Sequence, residues 1–183
     1  MRNYIVAVVV GSLRKDSFNR ALATAMARLA PADFSFKEVS IASLPLYNQD
    51  ADGHEDAATL AFRQEIADAD AVLFVTPEYN HSMPGVLKNA LDQGSRPYGK
   101  SVWNGKPAAV AGITIGVMGT ALAQQHLRNV LSFLNMPTLC QPEIFLQYKE
   151  GLFDADGNIG QASRAYLQRF IDTYVAWVKR HLV

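Results

Sequence analysis

The residues "NYIVAVVV" at positions 3–10 leave the chain few options. A run of β-branched residues with no polar alternation is a strand buried on both faces, and a strand of that kind needs a layer above it and a layer below it. Two more runs repeat the signal, "DAVLFVTP" at 70–77 and "AAVAGITI" at 108–115. Between them the apolar spacing changes to that of helices. After Phe18 it falls on Leu22, Ala25, Met26 and Leu29, and stops near Pro31.

The rest of the chain keeps the alternation. "FSFKEVSI" (34–41) reads as a strand, 56–68 as a helix, and "PGVLKNALDQG" (84–94) as a helix opened by Pro84 and closed by Gly94. Residues 121–135 carry a stripe of Leu122, His126, Val130, Phe133 and Leu134; "TLCQPEIFLQY" (138–148) holds a last strand interrupted by Pro142. A long closing helix spans 161–181, with Leu167, Phe170, Ile171, Tyr174 and Val178 on one face. The order β-α-β-α-β-α-β-α-β predicts α/β architecture: a doubly wound, five-stranded parallel sheet in three layers, flavodoxin-like, forming one domain over 1–183. No repeat, low-complexity tract or linker breaks it.

Composition removes several classes of function. Seventeen Lys and Arg balance seventeen Asp and Glu, so no basic excess points to nucleic acid. Cys140 is the only cysteine, which rules out an intrachain disulfide and a cysteine-based metal site; a small buried residue at a strand edge is its plainest reading. His54, His81, His126 and His181 are scattered, and no acidic residues fall in metal-ligand spacing, so no metal is expected. The N-terminal apolar run is too short for a secretory leader, and no stretch approaches a membrane span. A cytoplasmic protein is expected.

In a doubly wound sheet, ligands sit beyond the carboxyl ends of the strands, at the switch in strand order. Those ends read Gly11-Ser12, Pro77-Glu78-Tyr79-Asn80 and Thr114-Ile115-Gly116. The first leads into a helix N-terminus, whose unpaired N–H groups and positive dipole end suit an anion. Ser12, Arg14, Ser17 and Asn19 add side-chain donors. Neither a dinucleotide fingerprint nor an ATPase P-loop is present, and a terminal monophosphate fits this loop better than a pyrophosphate. An ordinary helix capped by Ser17 is the other reading of the same residues. The rigid "TPEYNHSMPG" loop (76–85) can present backbone groups and Tyr79 to a planar heterocycle.

Taken together, "GSLRKDSFNR", "TPEYNHSMPGVLKNALD", "SRP", "NGKP" and "GVMG…HLR" resemble the NADPH-dependent FMN reductase family, and within it the bacterial quinone or chromate reductases. The resemblance covers roughly residues 4–145. It implies bound FMN, NADPH or NADH as electron donor, a quinone or oxyanion acceptor, and a homodimer or homotetramer. It carries the phosphate loop onto Ser12, Arg14, Ser17 and Asn19, the isoalloxazine loop onto Pro77, Glu78, Tyr79 and Asn80, and a third loop onto Thr114, Ile115 and Gly116. No catalytic side chain is implied, because flavin carries the chemistry. Arg96, with Pro97 behind it, and His81 are candidates for the substrate rim. The chain departs from the family pattern at Thr120, where Gly-Gly is common, and at Gln93, where an aromatic is common; a more open rim is expected from the latter. A flavodoxin-type carrier without turnover is the main rival, although such carriers are usually acidic. A receiver domain on the same fold would need acidic residues at the ends of strands one and three.

Overall fold

The computed structural model describes residues 2–182. Five parallel strands, β1 (Tyr4–Val10), β2 (Phe34–Glu38), β3 (Ala71–Val75), β4 (Ala108–Thr114) and β5 (Ile144–Gln147), form one sheet in the order β2-β1-β3-β4-β5. The helices are α1 (Phe18–Ala27), α2 (Ala57–Asp68), α3 (Gly85–Ser95), α4 (Ala121–Phe133) and α5 (Gln161–His181), with one 3-10 turn at Gln49–Ala51. The expected flavodoxin-like topology is the observed one. Strand order reverses between β1 and β3, where a crevice opens.

The period of two explains why β1 is apolar throughout. Val6, Val8 and Val10 face a core shared with Leu22 and Met26 of α1 and Leu167, Phe170 and Tyr174 of α5. Ala7 and Val9 face the opposite core, with Phe62 and Ile66 of α2, Leu87 and Leu91 of α3, Trp103, and Leu127 and Leu131 of α4. All of these are buried. At about 25 cal/mol per Å² of apolar surface, full burial of each such side chain contributes about 1.5–3 kcal/mol.

Four local expectations are corrected. Gly94 does not end α3, which continues to Ser95; a Cβ on Gly94 would lie 2.5 Å from the Trp103 ring, so the glycine makes room for packing. On α4 the core-facing residues are Ala123, Leu127 and Leu131, one position on from the expected stripe; Val130 and Leu134 pack at the edge of that core, while His126 and Phe133 are exposed. Cys140 is exposed, since β5 starts only at Ile144. Gln93 leaves no open rim: it is buried and donates from Nε2 to the Pro45 carbonyl at 2.9 Å.

Candidate functional site

Ser12, Arg14, Ser17, Phe18, Asn19, Pro77, Glu78, Tyr79, Ile113, Thr114 and Ile115 line one cleft of about 250 Å³ at the carboxyl ends of β1, β3 and β4. A larger groove of about 530 Å³ runs past Arg96, Tyr98 and Phe133, but it has no comparable cluster of anion donors. The cleft is small for an enclosed ligand site, typically about 300–1,000 Å³, and suits a shelf that leaves one ligand face open.

The first wall is the start of α1. Ser17 is extended and its side chain accepts from the Arg20 N–H, as an N-cap does. The next amides, those of Phe18 and Asn19, belong to the helix's first turn and have no intrahelical acceptor. Ser12 is buried beside them and its Oγ accepts from the Arg14 N–H. The exposed Arg14 guanidinium lies over the Phe18 ring, 4.6 Å from its centroid, and donates to the Asp16 carbonyl. Hydroxyls, helix amides and a guanidinium therefore meet within one turn of chain.

Asn19 has a different role from the one its sequence position suggests. Its Nδ2 donates to the Ile113 carbonyl at 2.9 Å, and its Oδ1 accepts from the Ile113 N–H at 3.1 Å. Both side-chain atoms are engaged in fastening α1 to β4, so only its backbone amide remains for an anion. Nothing in the sequence around Asn19 names a partner 94 positions away.

The second wall is the turn after β3. Tyr79 and Ser82 exchange backbone hydrogen bonds of 2.9 and 3.0 Å, with Asn80 at φ 51° and His81 at φ 61° between them. Two consecutive left-handed residues make a type I′ turn, and Asn and His are among the residues that best tolerate it. The turn holds Tyr79 at the cleft, half-exposed, and turns His81 outward, away from the cleft lining. The His126 Nδ1 lies 2.9 Å from the Ser82 Oγ, a tie to α4 that motif reading missed. Glu78 lines the cleft, and its carboxylate is engaged with α4: Oε2 accepts from the N–H groups of Leu122 and Ala123, both at 3.0 Å.

The third wall is the end of β4 and the loop after it. Thr114 and Ile115 line the cleft, and Gly116 after them presents bare backbone, where a Cβ would meet only the Thr114 Cγ2, at 3.9 Å. Gly119 and Thr120 then both take positive φ, 58° and 76°. For a β-branched residue that is a genuine outlier, and it lies at the position where the family resemblance expects glycine. Thr120 is fully buried, and its Oγ1 accepts from Gln124 Nε2 at 2.9 Å.

Arg96 is not on the rim of its own chain's cleft. Helix α3 starts at the carboxyl end of β3 and carries the chain back over 11 residues, about 16 Å. There the Arg96 guanidinium pairs with the Asp52 carboxylate, Nε to Oδ2 at 3.0 Å, and lies 5.8 Å from the centroid of the Tyr47 ring. The Asp52 hydrogen bond raises the Arg96 pKa above its ordinary value. Among the described residues no three His, Cys, Asp or Glu side chains gather in a way that could hold a metal ion.

The chain matches the family model for NADPH-dependent FMN reductases over residues 5–151. The chain belongs to that family. Among the relatives of this chain, a 2-hydroxy-1,4-benzoquinone reductase from a Burkholderia species is 57% identical over 175 residues, covering 95% of this chain and 96% of that protein. A quinone reductase from Pseudomonas putida is 50% identical over 177 residues, covering 96% and 95%. The solved structure of FerB, a flavoenzyme NAD(P)H:(acceptor) oxidoreductase from Paracoccus denitrificans, superposes with a TM-score of 0.93 at 42% identity, over 97% of this chain and 98% of that one. The protein is thus an oxidoreductase that uses FMN and a reduced nicotinamide. The donor set fits FMN: one cluster of anion donors beside an open shelf edged by an aromatic ring and bare backbone.

Proposed function

We propose that the protein is an NAD(P)H:quinone oxidoreductase with FMN held in the β1-β3-β4 cleft. The observation that carries the reading is the meeting of the Ser12–Ser17 anion loop with the open shelf at Tyr79 and Ile115 in a single cleft. The high identity to quinone reductases supports the acceptor class. Ser12, Arg14, Ser17 and the first-turn amides of α1 take the phosphate; Pro77–Asn80 and Thr114–Gly116 flank the ring. Bound FMN supplies the hydride-accepting and hydride-donating chemistry.

The residues of the chain bind, orient and leave access. The shelf admits the nicotinamide, is vacated, and then admits the quinone, a ping-pong order that needs no side-chain nucleophile or base. Chromate is a further oxidant of the same open site. A second copy of the chain supplies the missing wall. Three exposed apolar side chains support this: Ile115, which lines the cleft and is 72% exposed, and Val117 and Met118, which follow it in the loop at 82% and 54%. A homodimer or homotetramer results. A lone free cysteine suits a reducing cytoplasm.

Steady-state turnover of the yellow holoenzyme with NADH and NADPH across benzoquinones, chromate and a ferric complex tests the proposal, alongside light scattering. Rapid, donor-dependent quinone reduction by an oligomer is expected. A protein that holds FMN but consumes no nicotinamide with any quinone is a carrier instead, and a fully active monomer removes the shared wall.

A further inference from the structure

Helix α4 lacks a cap of its own. Its N-cap residue, Thr120, is left-handed and makes no side-chain capping bond, because its hydroxyl is engaged with Gln124. The orphan N–H groups of the second and third helical positions, Leu122 and Ala123, are taken instead by Glu78 Oε2, from 44 and 45 positions earlier. Glu78 itself lines the cleft. The positive end of α4 is therefore brought to the cleft wall and covered there by a full negative charge.

We propose that Glu78 is a positioning residue that fixes the β4–α4 wall and, by outweighing the positive end of α4, sets how tightly the cleft holds reduced FMN relative to oxidised FMN. A helix N-terminus carries about half a positive charge. With the carboxylate in place, the wall is net negative; without it, the wall is net positive. Two-electron reduction puts negative charge on the flavin, so the Glu78 charge disfavours the reduced form and keeps it a ready donor. The inference rests on the cleft being the FMN site.

The test is a measurement of midpoint potential on holoenzyme, with FMN affinity measured beside it. Glu78→Gln keeps an oxygen that can accept from Leu122 and Ala123 but removes the charge. It should favour reduced over oxidised FMN by on the order of tenfold, the scale on which one unit charge acts on a neighbouring group through protein. Tenfold is a rise of about 30 mV for a two-electron couple. Ala121→Asp, in the first turn of α4, adds a negative charge while leaving Glu78 and both of its bonds in place, and should lower the potential. The double variant should return near wild type, which a merely structural cap would not do.

If Glu78→Gln stays within twofold of wild type in that ratio, the proposal is overturned. Ala121→Asp carries the test alone should the Gln variant fail to hold FMN, and an unchanged potential there overturns it too. Arg14→Ala separates the two readings. If it weakens FMN while both charge variants leave the potential unmoved, the cleft stands and the role of Glu78 falls. If it leaves FMN affinity unchanged, the cleft assignment falls, and this inference with it.

Discussion

Asn19 and Ile113 form a closed pair: the side-chain amide of one satisfies both backbone groups of the other, at 2.9 and 3.1 Å. Asn19 is buried, so neither water nor a neighbour can take over. Ile113 lines the cleft near the end of β4, and Asn19 lies in the first turn of the first wall. The pair sets the spacing between the two walls. Asn19→Ala should destabilise the apoprotein by about 2–4 kcal/mol, because two buried backbone groups lose their partners. Urea denaturation checks this, and a loss under about 1 kcal/mol would show that the clasp is not needed.

The proposed phosphate loop predicts a difference between two ligands. Arg14→Ala with Ser17→Ala should weaken FMN by roughly tenfold or more for each group removed, as charge-assisted hydrogen bonds of about 1.5–3 kcal/mol imply. Riboflavin, which lacks the phosphate, should lose far less. Equal losses by fluorescence titration would place the phosphate elsewhere.

Gly112 should tolerate no side chain. A Cβ there would lie 2.2 Å from Thr120 Oγ1 and 2.4 Å from the Thr76 carbonyl oxygen. The second contact is backbone, so no rotamer relieves it. Gly112→Ala should cost about 3 kcal/mol, the upper part of the overpacking range. Adding Thr120→Gly should recover only part of this, because the Thr76 oxygen remains. Full recovery in thermal melts would show that Thr120 alone makes the constraint.

Arg96 and Asp52 should behave as a couple. Each of Arg96→Ala and Asp52→Asn should lower the melting temperature, and the double variant should be little worse than either single one. The effect belongs to the 45–56 segment that packs along α3. Strict additivity in the cycle would contradict the coupling.

The pH dependence has one clear contributor. The Lys179 ammonium donates to the Asp33 carboxylate at 2.8 Å, and chiefly this bond holds the Asp33 pKa below its ordinary 3.8. Unfolding releases that hold, so in acid the unfolded chain binds the proton first. The stabilisation is complete above about pH 5 and is lost as pH falls through the folded pKa. Asp33→Asn should flatten the acid limb of the stability curve and leave its shape above about pH 5 unchanged. An identical acid limb in both proteins would remove Asp33 from the account.

The strands and the layers were legible in the sequence, because both depend on local period. "NYIVAVVV" needs cover on both faces whatever lies around it, and the helix spacing after Phe18 can bury only one stripe. The three loops at the strand ends were legible for the same reason: order and direction in a parallel sheet put them together before any contact is known. The tertiary structure alone decided what each polar side chain in those loops does. Asn19 stands among the residues of the proposed phosphate loop but grips β4, and Glu78 stands in the proposed ring loop but caps α4. Arg96 follows a helix that runs away from the cleft, and it meets Asp52. A backbone period repeats every two or 3.6 residues and can be read from a short window. A hydrogen bond requires two atoms within about 3 Å, and here the second atom comes from 44 to 94 positions away, where only the finished packing can place it.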